Sequence, residues 1–136
     1  MIAVVDYGAG NVRSVMHALE YIGEKSLLTR NAGEILSADA VILPGVGAFG
    51  DAMEQLHASG AVQAMEEFIA SGRPFLGICI GEQLLFESSE ETPGAKGLFW
   101  LRGQVKRIPS GEGRKIPHMG WNQLNIMKDD PLFSGL

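Results

Sequence analysis

The chain has 136 residues and a formal net charge of −5, with 46% apolar and 20% charged residues. That is the size and usage of one globular domain over residues 1–136, and the negative balance argues against a nucleic-acid backbone as partner. No apolar run of about 18 residues exists, the start MIAVVDYG has no basic stretch, and a single cysteine cannot close an internal disulfide, so the expectation is a cytoplasmic protein without a membrane span or signal peptide.

In chain order, IAVVD at 2–6 is an apolar run closing on an acid, the pattern of a strand covered on both faces. YGAGN at 7–11 is a glycine-rich loop. Val12, Val15, Met16, Leu19 and Ile22 recur at helical spacing, and Gly23 stands where a helix ends. Residues 25–29 form a second short strand, and Asn31 caps a short helix over 32–36. AVIL at 40–43 is a third buried strand, entering the loop PGVGAF at 44–49. Helices follow over 51–57 and 61–70, broken near Ser59-Gly60. Residues 75–78 are a fourth strand and 80–87 a helix. Strands alternating with helices predict an α/β fold with a mostly parallel sheet and helices on both faces. Ligands of such sheets lie beyond the carboxyl ends of the strands, and the loops YGAGN, PGVGAF and GICIG all follow strands, so all three belong on one rim. After Ser88 the chain turns polar. Residues 98–100, 104–108 and 116–127 read as strands, joined by turns at Arg102-Gly103 and 110–113, in an antiparallel or mixed arrangement.

Cys79 sits in PFLGICIGEQLLFE at 74–87. A free cysteine after an apolar strand is most often inert packing. Here it forms Gly77-Ile78-Cys79-Ile80-Gly81, the cysteine counterpart of a G-x-S-x-G nucleophile elbow at a strand-to-helix turn. The following helix would bring peptide N–H groups and its dipole to the sulfur, favouring thiolate. The Ile80 N–H could face a developing oxyanion. Pro44-Gly45-Val46-Gly47, on a neighbouring strand end, is either a plain tight turn or a second source of backbone donors, which acyl transfer requires. Elsewhere the ordinary readings hold: Glu66-Glu67 and the acids of 87–91 are solvated faces, Phe99 and Trp100 pack in the core or at an edge, and Asp6 and Tyr7 line the rim or tie the glycine loop. Trp121 is the exception, an exposed aromatic at a partner surface.

DYGAGN at 6–11, LPGVGAFGDAM at 43–53, GICIGEQLLFE at 77–87 and PHMGWN at 117–122 occur in this order. Together they resemble the class I glutamine amidotransferases and, within them, the glutaminase subunits of imidazole glycerol phosphate synthase from histidine biosynthesis. The resemblance runs the length of the chain. It implies a flavodoxin-like amidotransferase sheet that hydrolyses glutamine to glutamate and ammonia through a cysteine thioester. The ammonia passes to a (β/α)8-barrel cyclase subunit. It further implies Cys79 as nucleophile, Gly47, Val46 and Ile80 as the oxyanion elements, and Gln83 and Gly45 at the substrate. Asn11, His118, Met119, Trp121 and Asn122 fall at the barrel interface, and no metal or organic cofactor is needed.

The sequence departs from the family pattern twice. The catalytic His-Pro-Glu stretch expected well beyond the cysteine does not occur before Leu136. The expectation is a chain with the C-terminal strands missing, some apolar surface uncovered and negligible glutaminase of its own, because a thiol needs a base and the leaving nitrogen an acid. Of His17, His57 and His118, only His118 is placed to substitute. The second departure is Glu82, where the family carries methionine or another apolar residue. It is either a favourable first-turn acid or a carboxylate that opposes thiolate formation. Two rival accounts stay open: a cysteine hydrolase of the same fold acting on another substrate, such as a γ-glutamyl hydrolase, and a non-catalytic module that binds the cyclase.

Overall fold

The structure is a computed structural model and describes residues 1–111, 113 and 115–134. Four strands, β1 (Ile2–Val5), β2 (Ser26–Thr29), β3 (Ala40–Leu43) and β4 (Phe75–Gly77), form a parallel sheet in the order β2-β1-β3-β4. The register sets Ile2 opposite Ser26 and Ala40, and Val41, Ile42 and Leu43 opposite Phe75, Leu76 and Gly77. Helices α1 (Val12–Tyr21), α2 (Ala32–Ser37), α3 (Phe49–Ser59) and α4 (Val62–Ala70) connect the strands.

Strand parity decides which helix goes where. Successive side chains of a strand point to opposite faces. Ala3, Val5, Val41 and Leu43 point into the larger core with Ile35, Phe49, Leu56, Met65 and Phe68 of α2, α3 and α4. Val4 and Ile42 point the other way, onto Leu19, Val15 and Met16 of α1. Both faces are therefore covered, as the apolar runs predict. Phe49 and Phe68 are fully buried, and each such side chain contributes roughly 1.5–3 kcal/mol. Toward β4 the α1 face is less covered: Leu76 and Ile78 stay exposed. Among the described residues no helix is long and apolar enough to cross a membrane.

The helix ends follow the expected chemistry. The Asn11 side chain accepts from the Ser14 amide at the start of α1, and the Asn31 side chain accepts from the Glu34 amide at the start of α2. Gly60, at φ +74°, ends α3 in the left-handed region. α3 begins at Phe49, two residues before its predicted start, after an N-cap alanine that offers no side-chain bond.

The second half departs from the sequence-based reading. The helix after Cys79, α5, covers only Ile80–Gln83 instead of 80–87. Residues 98–100 are not a strand. The amides of Leu98 and Leu101 donate to the carbonyls of Leu84 and Leu85, and Gly97 to that of Glu87, so this apolar run closes the end of α5. Trp100 lies edge-on to Phe75, ring centroids 5.6 Å apart, while Phe99 is exposed, contrary to the packing expected of it. Of 104–108 only β6 (Gln104–Val105) pairs, in parallel with β5 (Ser88–Ser89), and Ser88 forms an antiparallel bridge with Lys96. Residues 116–127 form no strand. Met119, Trp121, Leu124 and Met127 are exposed, so no burial offsets the entropy of ordering an extended run. The turn expected at 110–113 lies partly outside the described residues.

Candidate active site

The three glycine loops share one rim, as the parallel topology requires. β3 ends at Leu43 and β4 at Gly77, side by side. The Ile78 amide donates to the Leu43 carbonyl at 3.0 Å, extending the ladder one step past β4. The chain then reverses. Cys79 adopts φ 57° and ψ −119°, a left-handed φ that a residue bearing a β-carbon takes only under constraint. Its carbonyl accepts from the Glu82 and Gln83 amides at 3.1 and 3.2 Å, which starts α5, and its thiol is exposed. This is the geometry of a nucleophile elbow.

The glycines on either side are there for space. A β-carbon on Gly77 would lie 2.6 Å from the Cα of Glu82, and one on Gly81 only 1.9 Å from the Leu43 carbonyl oxygen. The turn is thus folded hard onto the end of β3. The PGVG loop closes the other side. Gly45 is buried, and a β-carbon there would lie 2.5 Å from the Gly81 nitrogen and 2.9 Å from the Ile80 Cβ. Val46 and Gly47 turn outward and are exposed, Gly47 at φ +92°. Gly10 of the first loop reaches the same junction, where a β-carbon on it would fall 3.3 Å from Pro44 Cβ. The elbow, through Ile80 and Gly81, and Gly45 are therefore brought together, and Val46 and Gly47 follow on the exposed side of the loop. The short α5 leaves little macrodipole, so the electrostatic help expected from a full helix reduces to individual peptide N–H groups.

Beside the elbow lies a groove of about 780 Å³ lined by Ile80, Gln83, Ser89, Glu90, Glu91, Val105, Lys106, Arg107, Ile116 and Pro117. It holds carboxylates and cations within one concavity and starts at the residue after Cys79. Pro117 opens the PHMGWN stretch, so that stretch begins at the groove. His118, Met119, Trp121 and Asn122 are all exposed, and Trp121 is not core. The Asn122 amide nitrogen and His118 Nε2 are 3.2 Å apart, so the one histidine expected to substitute as a base faces its own loop. Asn11, assigned to a partner surface, also caps α1.

Two residues do more than the sequence revealed. Glu91 is exposed, as expected, but it also carries a structural bond. Its Oε2 accepts from the Phe49 amide at 2.9 Å, and Thr92 Oγ1 accepts from the Gly50 amide at 3.2 Å. The segment after the elbow thus caps the helix that follows the PGVG loop. The uncapped start at Ala48 was the only sign of this, and it does not say where a cap would come from. Tyr7 is the second. It continues the inward parity of Ala3 and Val5, is 4% exposed, and puts its hydroxyl against Gly45. Burial, aided by the nearby Cys79, pushes its phenol up to about 12. Asp6 ties the first loop, accepting from the Gly8 amide at 3.3 Å and pairing with Arg30 at 3.1 Å.

A parallel α/β sheet with a cysteine elbow pressed against a glycine loop defines a class, and the chain belongs to it: residues 3–136 match the family described as glutamine amidotransferase class-I. Among its relatives, the imidazole glycerol phosphate synthase subunit HisH of Bacillus cereus (strain G9842) is 51% identical over 136 residues, covering all of this chain and 64% of that protein. The HisH subunit of Methanosarcina acetivorans is 50% identical over 135 residues, covering 99% and 65%. The chain thus spans a little under two thirds of the length of these relatives. A crystal structure of a glutamine amidotransferase superposes with a TM-score of 0.66 at 21% identity, over 85% of this chain and 60% of that one. A crystal structure of a putative peptidase E protein from Listeria monocytogenes gives 0.56 at 17% identity, over 74% and 62%. These two likenesses concern the fold.

Proposed function

We propose that Cys79 is the nucleophile of a glutaminase that supplies ammonia to a (β/α)8-barrel cyclase subunit, in a cytoplasmic heterodimer of histidine biosynthesis. The observation that carries this reading is an exposed thiol on a left-handed turn whose next residues abut Gly45 of PGVG. The thiolate attacks the side-chain amide carbon of glutamine. Peptide N–H groups of the elbow and of the Val46–Gly47 stretch stabilise the oxyanion. The C–N bond breaks, ammonia leaves after protonation, and water cleaves the glutamyl thioester to glutamate and thiol. The groove past Ile80 suits an α-amino acid: Glu90 and Glu91 complement its ammonium, Lys106 and Arg107 its carboxylate, and Gln83 lines the same groove.

Proton transfer is the step for which the described residues offer no positioned group. Among the described residues no histidine is hydrogen-bonded to Cys79, and His118 is turned to Asn122. These residues are therefore assigned binding and nucleophile, with negligible turnover of their own. Met119, Trp121 and Asn122 present an exposed aromatic and polar surface of the kind that anchors a partner.

The test is labelling by a glutamine-mimicking diazoketone, read by peptide mass spectrometry, beside a pull-down with the cyclase subunit. An adduct on Cys79 that glutamine prevents is the expected result. Retention on the cyclase without any adduct would replace the enzyme reading with a binding module, and an adduct indifferent to glutamine would point to a hydrolase of another substrate.

A further inference from the structure

The Tyr7 ring occupies a place in the core that phenylalanine would fill equally well, so its hydroxyl calls for a reason. The oxygen is buried and has no hydrogen-bond partner among the described residues. An unpaired buried hydroxyl is unfavourable and is retained where another state of the protein satisfies it. Its position says which state. The hydroxyl ends at the seam between the two loops, 2.9 Å from where a Gly45 β-carbon would lie, and that same point is 2.5 Å from the Gly81 nitrogen and 2.9 Å from Ile80 Cβ. Ile80 at that seam directly follows Cys79, whose sulfur is the nearby group that gains acceptor strength when the thiol ionises.

We propose that Tyr7 is the positioning residue of the elbow, its phenol O–H donating to the Cys79 sulfur once the thiol has ionised and holding the thiolate beside the PGVG loop. The proposal rests on the reading of Cys79 as nucleophile. A neutral thiol is a poor acceptor, whereas a thiolate is a strong one, which explains a hydroxyl left idle in the resting state. The phenol stays protonated to about 12, so below that pH it donates to an anion and does not repel it. The surrounding charges give it work to do. Glu82 lies on the elbow's own turn and Glu91 caps α3, both acidic. Asp51, Glu54 and His57 of α3 lie off its buried face, and Lys106 and Arg107 line the groove beyond Gln83. A neutral donor to the thiolate would offset the acids without adding charge.

The test is the rate of Cys79 alkylation by iodoacetamide against pH in the full-length protein, which needs no glutamine. Tyr7→Phe is expected to slow alkylation about 3- to 10-fold near neutral pH and to move the pH midpoint up by as much as about one unit, with the same alkaline plateau. A purely structural hydroxyl would leave the profile unmoved, and identical profiles overturn the proposal. Replacement of tyrosine by the more acidic 3-fluorotyrosine is expected to move the midpoint down. The other tyrosine of residues 1–136, Tyr21, is 92% exposed on α1 and does not enter the seam. If Tyr7→Phe does not fold, the fluorinated protein decides alone, and an unchanged midpoint refutes the assignment. Either negative leaves the glutamine reading of the site intact, because diazoketone labelling tests that separately.

Discussion

Gly45 and Gly81 meet across the site so closely that a β-carbon on the first would stand 2.5 Å from the amide nitrogen of the second. The neighbour is buried backbone in the first turn of α5 and cannot swing aside. Gly45→Ala is expected to cost about 1–3 kcal/mol in denaturant unfolding, the usual range for overpacking. Gly81→Ala should cost more, since its methyl would fall 1.9 Å from the Leu43 oxygen. Equal stability of Gly45→Ala and the parent would show that the loop is not wedged against the elbow.

The backbone at Cys79 supplies a comparison between two variants that both lack sulfur. At φ 57° alanine is strained and glycine is not. Cys79→Gly should therefore be more stable than Cys79→Ala by about 1 kcal/mol, the strain relieved less the extra entropy glycine loses. Urea midpoints at constant slope would measure this. The reverse order would mean that the turn relaxes freely.

Glu91 carries a bond that would otherwise leave the amide of the fully buried Phe49 without a partner. Glu91→Ala is expected to lose about 1–2 kcal/mol, like removal of a good N-cap, and to speed amide exchange in the first turn of α3. Glu91→Gln should recover most of that, since an amide oxygen still accepts. A loss confined to the charge, with Gln no better than Ala, would assign the effect to electrostatics instead.

Two titrations act at opposite ends of the pH scale. The Tyr7 phenol is raised from 10.0 to about 12 by burial and the nearby Cys79. Its stabilising share is complete below pH 10 and is lost as pH climbs toward 12, an alkaline decline of about 2–3 kcal/mol that Tyr7→Phe should abolish. Asp39 moves the other way, held below the usual range by its hydrogen bond to the N-terminal ammonium of Met1 and by that group's charge. Its share is present above the ordinary aspartate range and fades as pH falls through the lowered value. The pair is exposed and weak, so Asp39→Asn should change only the acid limb of the stability profile, and slightly.

The legible parts of this chain are those where local chemistry and burial agree. Residues 2–5 and 40–43 are visible as strands because apolar side chains fill both faces, and Asn11 and Asn31 mark helix starts by their own side chains. Cys79 between glycines signals a turn, and the turn is there. What stays hidden depends on distant partners. Residues 98–101 look like a strand, yet their amides serve the carbonyls of 84 and 85. Residues 116–127 alternate persuasively, yet nothing among the described residues covers them. Glu91 reads as one acid in an acidic run until α3 is seen to lack a cap of its own. Tyr7 could be placed by parity from Ala3 and Val5, but its hydroxyl's lack of a hydrogen-bond partner among the described residues could not.

The alignment of Leu43 with Gly77 sets the level at which two strands release their chains. Sliding β4 by a single residue would displace the elbow by about 3.3 Å along the sheet and turn Phe75 out of the core. The position of the elbow against the PGVG loop is thus guarded by hydrophobic sorting: a mispaired molecule would forfeit an aromatic contact with Trp100 before it could misplace its sulfur.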